Sequence, residues 1–173
     1  MKNKTKAVWG VALVAGLTVG AISGANAAQV SSGAQIPEGF LSADETITVF
    51  NDIDQITDLT LPEGIGWPTV VPKELNEKDT VFEIGYIETT AHLYWLCAWE
   101  SALVAAPAAR GAEGESEELA AVADFTETEW AAESFEDPEG AWTEDVLEPA
   151  LAGDLSGVEQ DFASSCGYYE LNQ

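Results

Sequence analysis

The side chains that could do chemistry at a useful spacing converge on His92, the one histidine of the chain. On a helix, Glu88 lies one turn before it on the same face and Glu100 two turns beyond it on nearly the same side. A Glu-x-x-x-His pair of this kind can orient an imidazole as a general base or supply two metal ligands. No second histidine completes a metal site, and a lone histidine on an apolar face reads as a core residue with one hydrogen bond. Glu88, His92 and Glu100 are therefore the candidates if the chain is an enzyme, and the stronger reading makes His92 structural. A Ser–His–Asp device would also need His92, and no Gly-x-Ser-x-Gly turn is present to expose a serine. Carboxylate-pair hydrolysis has 31 acids to draw on, too many for the sequence to single out a pair. Asp52, Asp54 and Asp58 hint at calcium, but the fifth and sixth loop positions are Ile56 and Thr57 where an EF-hand needs a ligand and a glycine. These acids read as a solvated face that binds divalent cations weakly. No cofactor motif and no dedicated metal site is expected.

The elements that must position these residues centre on one helix. From Tyr86 to Ala106, His92, Leu96, Trp99 and Leu103 share one face and Tyr94, Cys97 and Val104 another, so the helix is apolar on most sides and buried. Before it, Thr46–Phe50, Asp58–Leu61 and Val81–Ile84 read as short extended segments. Pro62, Gly64, Gly66, Pro68 and Pro72 forbid regular structure between them, and Trp67 reads as an anchor of this stretch over the helical core. After it, Ser116 and Leu119–Val122 predict a second helix within 113–124. Thr126 and Glu129 have capping-box spacing, flanked by Phe125 and Trp130 as a staple, which predicts a third helix to about Phe135. Asp137-Pro138 opens a fourth through Trp142 and Val146 to Leu151, with Pro149 as a kink and Gly153 as its end. A last helix from Leu155 to Ser165 turns Val158 and Phe162 inward and delivers Cys166. The expected fold is mainly α: a small helical bundle with an irregular, extended N-terminal segment packed over it.

Trp95-Leu96-Cys97-Ala98-Trp99 reads as large rings packed round a half-disulfide, in preference to an aromatic ligand platform. This helix, the Gly153-Asp154 turn and Cys166 together resemble a set of small exported proteins of high-GC Gram-positive bacteria. The likeness covers roughly the second half of the chain and carries no function with it.

The N-terminus predicts export. Lys2, Lys4 and Lys6 precede an apolar run from Ala7 to Ile22, and Ala25-Asn26-Ala27 offers small residues where a signal peptidase reads them. Gly10, Gly16 and Gly20 weaken the run as a membrane helix, and it is shorter than the ~20 residues a span requires. The expected organisation is a signal peptide over 1–27, a flexible leader over 28–40 and a single acidic helical domain over 41–173, secreted or at the cell exterior. Processing leaves Lys73, Lys78 and Arg110 against 31 acids. Such a surface excludes nucleic acid and anionic membranes, both of which need lysine and arginine to displace counterions. It leaves a cationic protein or divalent cations as partners. Two cysteines in an exported chain imply one intramolecular bond, Cys97–Cys166. The leading functional expectation is a non-catalytic interaction or structural domain. The alternatives are a small extracellular hydrolase using carboxylates and a calcium-associated surface module.

Overall fold

The computed structural model describes residues 35–77, 79–106, 116–137 and 140–173, together with the backbone of 21–22 and 27–29. Most of the expected signal peptide and part of the expected leader lie outside the described residues. Within them fall two short strands, β1 (Ala21–Ile22) and β2 (Ala27–Gln29), the second of which spans the expected cleavage point. A third, β3 (Phe40–Ser42), leads into helix α1 (Ala43–Asn51). The run Thr46–Phe50 is thus helical where its β-branched residues suggested an extended segment. Ser42 decides it: its hydroxyl accepts from the Glu45 amide while the Glu45 carboxylate accepts from the Ser42 amide, closing a capping box that starts the helix.

Strand β4 (Thr80–Glu83) falls on the expected extended segment and pairs antiparallel with β2 on one side and β3 on the other, with Leu41 opposite Phe82. Then comes the central helix α2 (Tyr86–Ala105), within one residue of its expected end, followed by α3 (Glu117–Asp124), capped by the Ser116 hydroxyl. Phe125–Glu127 continues α3 as a 3-10 turn in which Thr126 bonds back to the Ala123 carbonyl. The cap of α4 (Glu129–Ser134) is consequently Thr128, two residues later than expected, with its hydroxyl accepting from the Ala131 amide. Phe125 and Trp130 still meet, at 6.0 Å between ring centroids. Strand β5 (Phe135–Glu136) pairs with β1.

The expected kink at Pro149 takes the form of a π-helical stretch, Thr143–Leu147, running into α5 (Glu148–Leu151). Proline has no amide to give the carbonyl four residues back, that of Asp145, and a widened turn is one way to absorb the loss. Gly157 packs against that same oxygen, so closely that a Cβ there would collide with it. Gly153, at φ +87°, ends α5: its amide bonds to the Ala150 carbonyl and the Asp154 amide to the Pro149 carbonyl, a Schellman closure. Helices α6 (Ser156–Ser165) and α7 (Gly167–Glu170) complete the chain.

The fold is a mainly helical bundle with small sheets beside it. Its principal core joins Trp95, Trp99 and Leu103 of α2 to Leu119, Val122, Phe125, Trp142, Val146 and Val158. A second cluster packs Phe50, Ile53, Leu75 and Phe82 on Ile87 and Ala91, and a third surrounds the disulfide with Tyr94, Ala98 and Tyr169. Trp67 packs against all three. The proline-rich stretch is held by side chains of the core: the indoles of Trp95 and Trp99 both donate to the Thr60 carbonyl, at 2.8 and 3.0 Å, and the Tyr94 hydroxyl donates to that of Gly66. The bundle carries an irregular segment over it, as the sequence implies.

Candidate functional site

The three residues singled out around His92 have different surroundings. Glu88 is exposed on the first turn of α2. His92 is buried, its Nδ1 lies 2.9 Å from the Glu88 carbonyl oxygen, and its ring stacks on Trp130 with 4.8 Å between centroids. Burial lowers its pKa, so the ring sits neutral among apolar neighbours. Glu100 belongs to another part of the molecule. It is 0 % exposed, the only buried acid among the described residues.

Glu100 lies one turn after Cys97 on α2, hence on the same face, and Cys97 is bridged to Cys166 at the end of α6 with 5.5 Å between α-carbons. One carboxyl oxygen, Oε2, is 3.5 Å from the Cys166 sulfur, and the other, Oε1, has no hydrogen-bond partner. A bridged sulfur carries no hydrogen, so a bond across that contact is donated by the carboxyl. Burial pushes the pKa of Glu100 up to about 9, and the Asp161 carboxylate adds to the shift by its charge and by its approach. Glu100 is therefore a neutral acid at pH 7.

Asp161 faces it from α6. Its Oδ2 accepts from the Trp142 indole at 2.8 Å and its Oδ1 from the Ser165 hydroxyl at 2.9 Å, two donors that suit a carboxylate. Asp161 also lines an open groove of about 370 Å³ between the π-helical stretch and α6, with Asp145, Ser156, Gln160 and Ser164 along its walls. The close packing of Gly157 on Asp145 sets the spacing of these walls. A neutral buried acid behind a second carboxyl group on a groove is an arrangement able to hold and pass a proton.

The donor atoms of Cys97, Glu100 and Cys166 lie within 4.8 Å of one another, the only group of three or more such residues found among those described. Its geometry is compatible with a divalent cation, while both sulfurs are committed to the disulfide. Asp52, Asp54 and Asp58 are all exposed and belong to no such group. The Trp95–Trp99 stretch is core, its indole donors used on Thr60. Sequence reasoning named Glu100 through His92 and missed Asp161 and Trp142. Nothing local marks Asp161, because its role comes from the crossing of α2 and α6. A scan against protein-family models, a search of curated proteins and a search of solved structures each find no match to this chain.

Proposed function

We propose that the chain is an exported domain that performs hydrolysis through the carboxyl pair Asp161 and Glu100. The observation that carries this reading is the neutral, fully buried Glu100 behind a groove-lining Asp161. Paired carboxyl groups with opposed protonation divide the work of acid and base. Asp161 faces the groove and takes the proton of an attacking water. Glu100, fully buried and off the groove wall, supplies a proton to the leaving group only by way of Asp161, and is made good by the proton that Asp161 took from the water. Ser156, Gln160 and Ser164 offer hydrogen bonds to hydroxyls, and the Asp145 and Asp161 carboxyl groups disfavour an anionic substrate, which together point to glycosidic or other uncharged polar substrates. Purified protein assayed on chromogenic glycosides, esters and short peptides should cleave one class, with the rate lost in Asp161→Asn at unchanged circular dichroism. Full activity in that variant, or no cleavage in any class, sinks the reading.

The exposed acids favour a second reading, docking of a cationic protein. Among the described residues Lys73 is the only lysine or arginine, and it already pairs with Glu74 at 3.9 Å. Saturable binding of a polylysine peptide at physiological ionic strength supports it, and loss of binding there removes it. Export is supported by the disulfide, which suits an oxidising compartment. N-terminal sequencing of protein from the medium should begin at Ala28; a chain still carrying Lys2 contradicts export with cleavage.

A further inference from the structure

In the disulfide form, Glu100 is an anomaly. A carboxyl group occupies a fully buried position of α2, where Leu or Met would pack without an unanswered oxygen, and Oε1 finds no partner there. A buried polar atom left unpaired costs about 1–3 kcal/mol. The groups beside it are two cysteine sulfurs, on residues 6 % and 1 % exposed. We propose that Cys97, Cys166 and Glu100 form a binding site for a thiophilic divalent cation, with zinc the expected metal, when the disulfide is reduced.

The geometry supports three ligands on one ion. Cys97 and Glu100 stand three residues apart on one helix face, and Cys166 arrives from the end of α6. The three donor atoms lie within 4.8 Å of one another. Zinc bonds of ~2.0–2.3 Å place tetrahedral ligands roughly 3.3–3.8 Å apart, so small side-chain rotations suffice once the sulfurs are free. Two thiolates select zinc over calcium or magnesium, which take oxygen ligands. The Glu100 carboxylate, whose Oε2 already lies 3.5 Å from the Cys166 sulfur, becomes the third ligand, and water completes the tetrahedron. Asp161, fixed by Trp142 and Ser165, stands behind the Glu100 carboxyl, and the charge of the cation offsets the repulsion between the two carboxylates once the Glu100 proton is displaced.

The chemistry balances with a dithiol as the reductant. Its two thiols join as a disulfide and hand two electrons and two protons to the Cys97–Cys166 bridge, which opens to two thiols. Zinc then displaces three protons, one from each thiol and one from the Glu100 carboxyl. The same residues hold either a bond or an ion, never both.

The test uses purified protein reduced anaerobically with a phosphine, which does not compete for metal, and titrated with cobalt(II) and then zinc. The expected result is one cobalt per chain, with sulfur-to-cobalt charge-transfer absorption and tetrahedral ligand-field bands that zinc abolishes, and no such spectrum from the oxidised protein. Cys166→Ser should lose the site, and Glu100→Gln should weaken it at least tenfold with both thiols intact. If reduction alone unfolds the chain, zinc should restore its helical circular dichroism at one equivalent. The proposal is overturned by a reduced, helical protein that takes up no cobalt, by a reduced chain that zinc fails to refold, or by unchanged affinity in Glu100→Gln.

Discussion

The two long sides of α2 handle buried polar groups in opposite ways. Toward the irregular segment, each aromatic donor meets a backbone carbonyl: Trp95 and Trp99 at Thr60, Tyr94 at Gly66, and Tyr168 at Val70 with a 2.6 Å bond. Asn172 adds its side-chain oxygen to the amides of both Thr69 and Val70. A stretch with no ladder of its own is thereby satisfied from outside. Toward α6, the same helix presents Glu100, whose Oε1 is answered by nothing. The first side spends polar groups on holding the fold. The second keeps one in a state that costs stability, as expected of a site with a task.

If that contrast is sound, the largest effect should come from pH. The Glu100 pKa is raised from 4.5 to about 9, so the folded state holds a proton that the unfolded chain has released. Its contribution is fully present below about pH 4.5 and is lost as pH rises through about 9. Across that window the wild type should lose stability relative to Glu100→Gln by up to ~1.4 kcal/mol per pH unit, read from urea melts at several pH values. Parallel pH profiles for the two proteins would show that Glu100 titrates normally.

Removing the bridge comes next. Cys97→Ser with Cys166→Ser frees a loop spanning a sequence separation of 69, and the chain-entropy model assigns that closure roughly 4 kcal/mol. A denaturant midpoint unchanged in the double variant would mean that the third cluster holds α2 and α6 together without it.

On the satisfied side the losses should be smaller. Trp95→Phe and Trp99→Phe each leave the Thr60 carbonyl with one donor, whereas the double variant leaves it with none. The single changes should cost under about 1 kcal/mol and the pair more than their sum, near 1–3 kcal/mol beyond packing losses. Simple additivity would indicate that water takes over at Thr60. The smallest effect is that of salt on the exposed acids: sodium chloride should raise the melting temperature modestly, by screening repulsion over a Debye length near ~10 Å at 0.1 M. Indifference to salt would show that the acids are too dispersed to repel and would weaken the case for a cationic partner.

What the sequence disclosed follows the range of the interactions involved. The central helix was legible because apolar residues cover most of its sides, and the disulfide because two cysteines allow one pairing. Strand β4 was legible from Val81, Phe82 and Ile84. Helix α1 was misread because β-branched residues at 46–49 outweighed Ser42 and Glu45, although the capping box was there to be seen. The Thr126 cap failed for a subtler reason, since α3 runs on into a 3-10 turn and moves the break to Thr128. Pro149 signalled a disturbance but not its π form, against which Gly157 from the next helix packs. The Asp161–Glu100 approach links residues far apart in the chain through the α2–α6 crossing, and no local pattern encodes it.

Trp67 has a bearing on how the molecule comes apart. A segment of prolines and glycines is ordinarily where a protein opens first, with amides that exchange quickly and bonds that proteases find. Here its tryptophan lies against all three clusters, so lifting the segment strips a face from each of them. Opening there should require nearly the whole unfolding free energy. Hydrogen exchange at Ile65, whose amide bonds to the Pro62 carbonyl, should then match that of the central helix, making the least regular part of the chain one of its slowest to be exposed.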